Sequence, residues 1–172
     1  MSSQPSPDTF VAIDFETADT GRDSACAVAL VRVEGARITQ RVTRLIQPPR
    51  RTFEFTHIHG IRWRDVQDQP VFAQVWPELE PFLQGASFMV AHNASFDQGV
   101  LYACCSLARL EPPALPFACT MRLARQAWSL RPTRLPDLCR HLGIPLKHHD
   151  PASDAEACAS AMIVLRKEGW GP

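Results

Sequence analysis

Residues 12–17 read AIDFET, and the reading of this stretch decides the reading of the chain. It closes the apolar run FVAIDF (10–15), whose continuous hydrophobic character suits a central strand buried on both faces. Side chains alternate along a strand, so Asp14 and Glu16 share one face and Phe15 points to the other. Two unpaired carboxylates at the end of a buried strand repel each other and lose hydration at a cost of several kcal/mol. Something positive is expected between them.

Outward from that strand, CAVALVRVEGARITQRVTRLI (26–46) reads as two strands joined by a tight turn at Glu34-Gly35, and SFMVAH (87–92) as a fourth strand. A helix is predicted over 94–110 with Phe96, Val100, Cys104 and Leu107 on its apolar face. PFACT (116–120) supplies a short fifth strand. Two later helices fit LPDLCRHLG, closed by Gly143, and the alanine-rich segment 151–167, closed by Gly169. The stretch 70–85 is helix-like, but Pro77 and Pro81 must kink or split it. The order implies an α/β fold, a mixed five-stranded sheet flanked by helices. At 172 residues the chain is long enough for one core, read as a domain over 9–170 behind a loose polar tail, 1–8.

Two further acidic motifs accompany Asp14 and Glu16. In AHNASFD (91–97), Asn93 suits an N-cap, which places Asp97 in the first helical turn. In HHDPASDAEA (148–157), Asp150 suits an N-cap and Pro151 the first helical position, which puts His149 just before the helix and Asp154 one turn into it. Those two positions meet in a hydrophobic staple, here occupied by an imidazole and a carboxylate. A start at Ser153, with Glu156 completing a capping box, is the alternative. Each acid taken alone has a plain explanation as a salt bridge or a helix-dipole partner. Four acids near strand ends and helix starts, with a histidine beside the last, form a more specific pattern.

That pattern resembles the DEDDh family of 3′-5′ exonucleases, the proofreading-type nucleases related to the epsilon subunit of bacterial DNA polymerase III. Its D-x-E motif is matched by Asp14 and Glu16, its Asp after H-N-x-x-F by Asp97, and its H-x4-D by His149 and Asp154. The resemblance implies a ribonuclease-H-like sheet, two Mg²⁺ or Mn²⁺ ions held by Asp14, Glu16, Asp97 and Asp154, and His149 as general base. It also implies release of nucleoside 5′-monophosphates from a 3′ end; the leading reading is action on single-stranded or frayed ends, of DNA over RNA, although no motif here reads the 2′ hydroxyl. His92 stands at the same five-residue offset from Asp97 as His149 from Asp154, so spacing does not choose between them; the resemblance selects His149. His148, six residues from Asp154, is set aside.

THIHGI (56–61) is similar to the segment with which that family contacts the terminal nucleotide, so His59, Gly60 and Ile61 are expected there. Phe15, Thr17, Asn93 and Phe96 flank the metal ligands and are further pocket residues, with core, cap and turn roles as their ordinary explanations. An RNA-trimming exonuclease and a catalytically silent binding or polymerase-accessory module are the competing functions.

Composition bounds these readings. Net charge is zero, against a general nucleic-acid binder, yet sixteen of the eighteen basic residues are Arg, whose planar fork matches phosphate. Residues 121–147 carry Arg122, Arg125, Arg131, Arg134, Arg140 and Lys147 against Asp137 alone. Residues 41–64 carry six Arg against Glu54. Trp128, beside the first cluster, is expected in the core unless it stacks on a base. Six cysteines without a CxxC pair or an export signal suggest reduced, buried thiols in a cytoplasmic protein. No apolar run suits a membrane span. The chain ends soon after its last predicted helix with no tethering extension seen, so a free-standing enzyme is expected over a tethered polymerase subunit, with polymerase association the alternative.

Overall fold

The computed structural model describes residues 8–172. Residues 1–7 of the predicted tail lie outside the described residues. Asp8 is no part of a loose tail: its carbonyl accepts the Gly35 N–H at 2.8 Å and its carboxylate pairs with Arg166 at 3.2 Å.

Five strands form one mixed sheet, β1 (Thr9–Thr17), β2 (Ala25–Glu34), β3 (Arg37–Leu45), β4 (Phe88–Ala91) and β5 (Phe117–Cys119), in the order β3-β2-β1-β4-β5. The first three are antiparallel; β4 and β5 run parallel to β1. A hairpin can join β2 to β3 because Gly35 takes a positive φ of 62°. The helices are α1 (Thr56–His59), α2 (Trp63–Val66), α3 (Phe72–Leu79), α4 (Ala94–Ala108), α5 (Thr120–Trp128), α6 (Leu135–Leu142) and α7 (Pro151–Lys167). No helix among the described residues is long and apolar enough to cross a membrane.

Strand alternation sorts the core into two layers. Val11, Ile13 and Phe15 pack with Trp76, Leu79, Val100 and Leu101 under α3 and α4. Phe10 and Ala12 face α7 through Ala155, Cys158, Ala159 and Met162. The alanines of α7 let that helix lie close against the sheet. Asp14 and Glu16 continue the α7-facing row, so the first turn of α7 must end up beside them.

Several local expectations change. Pro77 sits inside α3, and the helix tightens into a 3-10 turn over Glu80–Leu83, where Pro81 has no N–H for the next helical bond. The sequence order lacked α1, α2 and α5: the first two are single turns, too short for periodicity to register, and α5 follows β5 without a loop. Leu107, predicted on the buried face of α4, is 58% exposed, because the buried stripe runs through Asp97, Val100, Leu101, Cys104 and Cys105. Trp128 packs beside Ala124, Leu138 and Ala161 and donates its indole N–H to Glu168 at 2.8 Å, which is a structural role. Accordingly, Met162→Ala should cost about 2–5 kcal/mol of unfolding free energy, whereas Leu107→Ala should stay within about 0.5 kcal/mol. Urea denaturation of the two variants side by side checks this.

Candidate active site

Pairing of β1 with β4 stops at Ala12, so the last residues of β1 are open on that side. The N–H of Phe15, left without a ladder partner there, donates to Asp97 Oδ1 at 2.9 Å. This bond joins residues 82 apart in sequence and ties the first turn of α4 to the strand end. From the other face, α7 delivers Asp154. One ligand oxygen from each of Asp14, Glu16 and Asp154 lies within 4.8 Å of the others. Asp97 stands outside that trio but lines the same cleft.

The electrostatics are those of an acidic cage. Burial, then repulsion from Asp97, Asp154 and Glu16, holds the Asp14 carboxyl well above its ordinary range. Burial and neighbouring acids raise Glu16 from 4.5 to about 8. Burial raises Asp97 to about 7 even though the Phe15 N–H favours its charged form. Asp154 is also raised by burial, partly offset by the His149 N–H and the imidazole of His148. Two oxygens, Asp14 Oδ2 and Asp154 Oδ1, are shut off from solvent and have no hydrogen-bond partner. Buried, unpaired carboxylate oxygens of this kind fit a hard divalent cation, which prefers oxygen ligands.

A pH dependence follows with a definite sign. Between about 4.5 and 8, the cation-free folded state binds more protons than the unfolded chain, so stability falls as pH rises through that window. With the metal chelated, the melting temperature should therefore be lower at pH 8 than at pH 5.5, and Mn²⁺ should raise it more at pH 8. Identical melting with and without Mn²⁺ at both pH values would contradict the cage.

The histidines separate clearly. His92 donates from Nε2 to the carbonyl of Thr133 and uses Nδ1 with the Thr120 hydroxyl, both at 2.9 Å. Burial lowers it to about 4, so it is neutral and fully engaged, a brace for the end of β4. The imidazole bonded to Asp154 is that of His148, Nδ1 to Oδ2 at 3.1 Å, the residue that spacing had set aside. His149 instead gives its backbone N–H to the same oxygen at 3.0 Å, because its φ of +66° turns the chain there. Its ring stacks on His148, centroids 3.7 Å apart, and remains in the ligand-forming group with Asp154. Burial and His148 lower the pKa of His149.

The helix start at Asp150 is confirmed by its carboxylate, which accepts the Ser153 N–H at 3.1 Å. The alternative start is excluded: Ser153 Oγ accepts from Lys147, and Glu156 pairs with Arg41 at 2.7 Å. Asn93 occupies the N-cap position with a left-handed φ of 66° and caps no backbone N–H; its Oδ1 instead accepts from the Ser95 hydroxyl at 3.4 Å.

The cleft, about 440 Å³, is lined by Asp14, Phe15, Glu16, Asn93, Phe96 and Asp97 together with His148, His149, Asp154 and Arg134. Four proposed nucleotide contacts are not on its wall. Thr17 is buried and its carbonyl accepts His59 Nε2–H at 3.1 Å, so His59 is tied to the backbone. Gly60 closes α1 with a positive φ of 79°. Ile61 packs into a small cluster with Ala18, Cys26 and Val66, and the neighbour that reaches the cleft is Ile58, 41% exposed. Ile58 was missed because a single helical turn decides which of two nearby isoleucines faces outward. The Arg runs are largely paired locally, as in Arg50 with Asp19 and Asp23, and Arg140 with Asp137. A hollow of about 500 Å³ between β2, β3 and α7 has Glu156 as its one acid among the described residues, whereas the acidic trio lies in the cleft.

The mixed sheet thus carries a cleft lined by four acids and a histidine at the end of its central strand. Residues 11–162 match the RNase_T exonuclease family, and the chain belongs to it. It is 36% identical to a PolC-type DNA polymerase III of Oceanobacillus iheyensis over 155 residues, covering 87% of this chain and 11% of that protein. It is 30% identical to the Thermotoga maritima counterpart over 159 residues, covering 90% of this chain and 12% of that one. The chain thus spans about a ninth of the length of these curated relatives. Among solved structures, Exonuclease X in complex with 5′ overhanging duplex DNA superposes with a TM-score of 0.77 and 26% identity, covering 94% of each chain. The nuclease domain of 3′hExo, a DEDDh family member bound to rAMP, gives a TM-score of 0.80 at 16% identity, covering 97% of this chain and 96% of that one. The exonuclease resemblance drawn from the motifs agrees with this family match, and membership of such a family implies a divalent metal.

Proposed function

We propose that residues 9–170 form a 3′-5′ exonuclease domain that removes nucleoside 5′-monophosphates from single-stranded or frayed DNA 3′ ends. The observation that carries this reading is the pair of partnerless buried oxygens, Asp14 Oδ2 and Asp154 Oδ1, within one acidic cluster beside an imidazole. Asp14, Glu16, Asp97 and Asp154 would hold two Mg²⁺ or Mn²⁺ ions. When bound, such ions neutralise phosphoryl charge and lower the pKa of water.

The chain's own residues do the rest. His149 accepts the proton of the attacking water at a ring nitrogen, and its lowered pKa keeps that nitrogen free near neutrality. His148 and Asp154 hold the turn that presents it. Phe15, Ile58, Asn93 and Phe96 shape the wall for the terminal nucleotide, while His59 secures the end of β1 through Thr17. Arg134, on the cleft wall, offers a guanidinium to the phosphate chain.

DNA is favoured over RNA because the curated relatives are DNA polymerases and Exonuclease X is bound to DNA. The similarity to part of PolC-type DNA polymerase III supports a working association with a DNA polymerase, against the free-standing enzyme expected from the sequence. Six free cysteines fit a reducing compartment, the cytoplasm. Matched DNA and RNA oligonucleotides labelled at the 5′ end, incubated with Mg²⁺ or Mn²⁺, provide the test. A shortening ladder on DNA that EDTA abolishes is expected. Retardation without shortening would indicate a binding module, and faster loss of RNA would reassign the substrate.

A further inference from the structure

Arg22 lies on the loop between β1 and β2, and the chemistry above makes no use of it. Its Nη1 donates to the carbonyls of Ser95 at 2.9 Å and Phe96 at 3.2 Å, and its guanidinium carbon lies 5.9 Å from the centre of the Phe96 ring. The approach depends on Gly99: a Cβ there would collide with Nη1 and sit 2.9 Å from Cζ. Both placements oppose helix stability. A cation in the first turn of α4 faces the positive end of the helix dipole, and glycine in a helix interior is less stable than alanine.

The loop that carries Arg22 is braced. Arg50 pairs with Asp19 at 2.9 Å and with Asp23 at 2.7 Å. Gly21 N–H donates to Asp19 Oδ1, and Ser24 Oγ–H donates to the Gly21 carbonyl. A well-fastened loop therefore brings one guanidinium over one ring, and that residue is part of the cleft wall.

We propose that Arg22 is a positioning residue for the terminal nucleotide: lying across Gly99, it holds the Phe96 ring in place as a preset wall for the base or sugar. This rests on the exonuclease reading above. Attraction between the guanidinium and the ring face limits the ring's freedom, so less ordering is needed when substrate arrives. A wall that touches ground state and transition state alike acts on KM and not on kcat.

The test uses Arg22→Ala, Gly99→Ala and the double variant in the full chain, with single-stranded DNA labelled at its 5′ end, Mn²⁺ and parallel thermal melts. Arg22→Ala should raise KM about five- to tenfold with kcat within about twofold. Arg22→Lys should not restore KM, since a compact ammonium cannot bridge two carbonyls while lying on the ring. Gly99→Ala should raise KM similarly by displacing the guanidinium. In the Arg22→Ala background the same change should leave KM alone and raise the melting temperature, because the added methyl then enters vacated space. A purely structural Arg22 would lower the melting temperature and spare KM. That result, or additive KM effects of the two substitutions, overturns the proposal. An inactive parent protein would sink the exonuclease reading itself and this proposal with it.

Discussion

Asp14→Asn should silence the nuclease and at the same time stabilise the metal-free fold. Asp14 sits at the centre of the acidic cage, with an oxygen that has no partner and a carboxyl held well above its ordinary range by burial and by neighbouring acids, Asp97 first among them. An amide removes the charge, keeps the shape and relieves that repulsion, which should add about 1–3 kcal/mol to the unfolding free energy without cation. The same change weakens divalent-cation binding. Charge stabilisation by bound cations is worth several kcal/mol, so turnover should fall by about 10³-fold or more. Thermal melts with EDTA, Mn²⁺ calorimetry and oligonucleotide cleavage read the three effects separately. A variant that is inactive but less stable without metal would mean that Asp14 is held by contacts other than those described.

His149→Ala should lower turnover by about 10²–10⁴-fold while Mn²⁺ uptake persists, because the imidazole is assigned to the proton and the carboxylates to the ions. The pH profile carries a sign. The base works only when neutral, so the rate rises with pH through the His149 pKa, which burial and His148 place below the usual 6.5. The acidic limb of the parent enzyme should therefore lie under pH 6.5 and vanish in the variant. A parent-like rate would return the role of base to another group, with His148, bonded to Asp154, the first to examine.

Much of this fold was legible because the signals are local. The apolar run at 10–15, the alternating strands after it and the Pro and Gly that bound the last helices act within a few residues, and each element they marked is present. Leu107 and Leu101 show where locality stops. The periodicity put Leu107 on the apolar face and passed over Leu101, and only the packing of α4 against the sheet buries Leu101 and exposes Leu107. The histidines repeat the lesson. His92 and His149 have equal offsets from an acid, and what separates them is Thr133, 41 residues from His92, whose carbonyl occupies its Nε2.

The sequence by itself determined the chemistry: which carboxylates and imidazoles exist, their near spacing, and the strand ends and helix starts that carry them. Tertiary structure decided their partners, giving Asp97 to the N–H of Phe15, the ring of His148 to Asp154, and Ile58 instead of Ile61 to the cleft. The physical reason is that spacing orders neighbours along a chain, while burial and repulsion act between groups that only a packed sheet and its helices bring within a few ångströms.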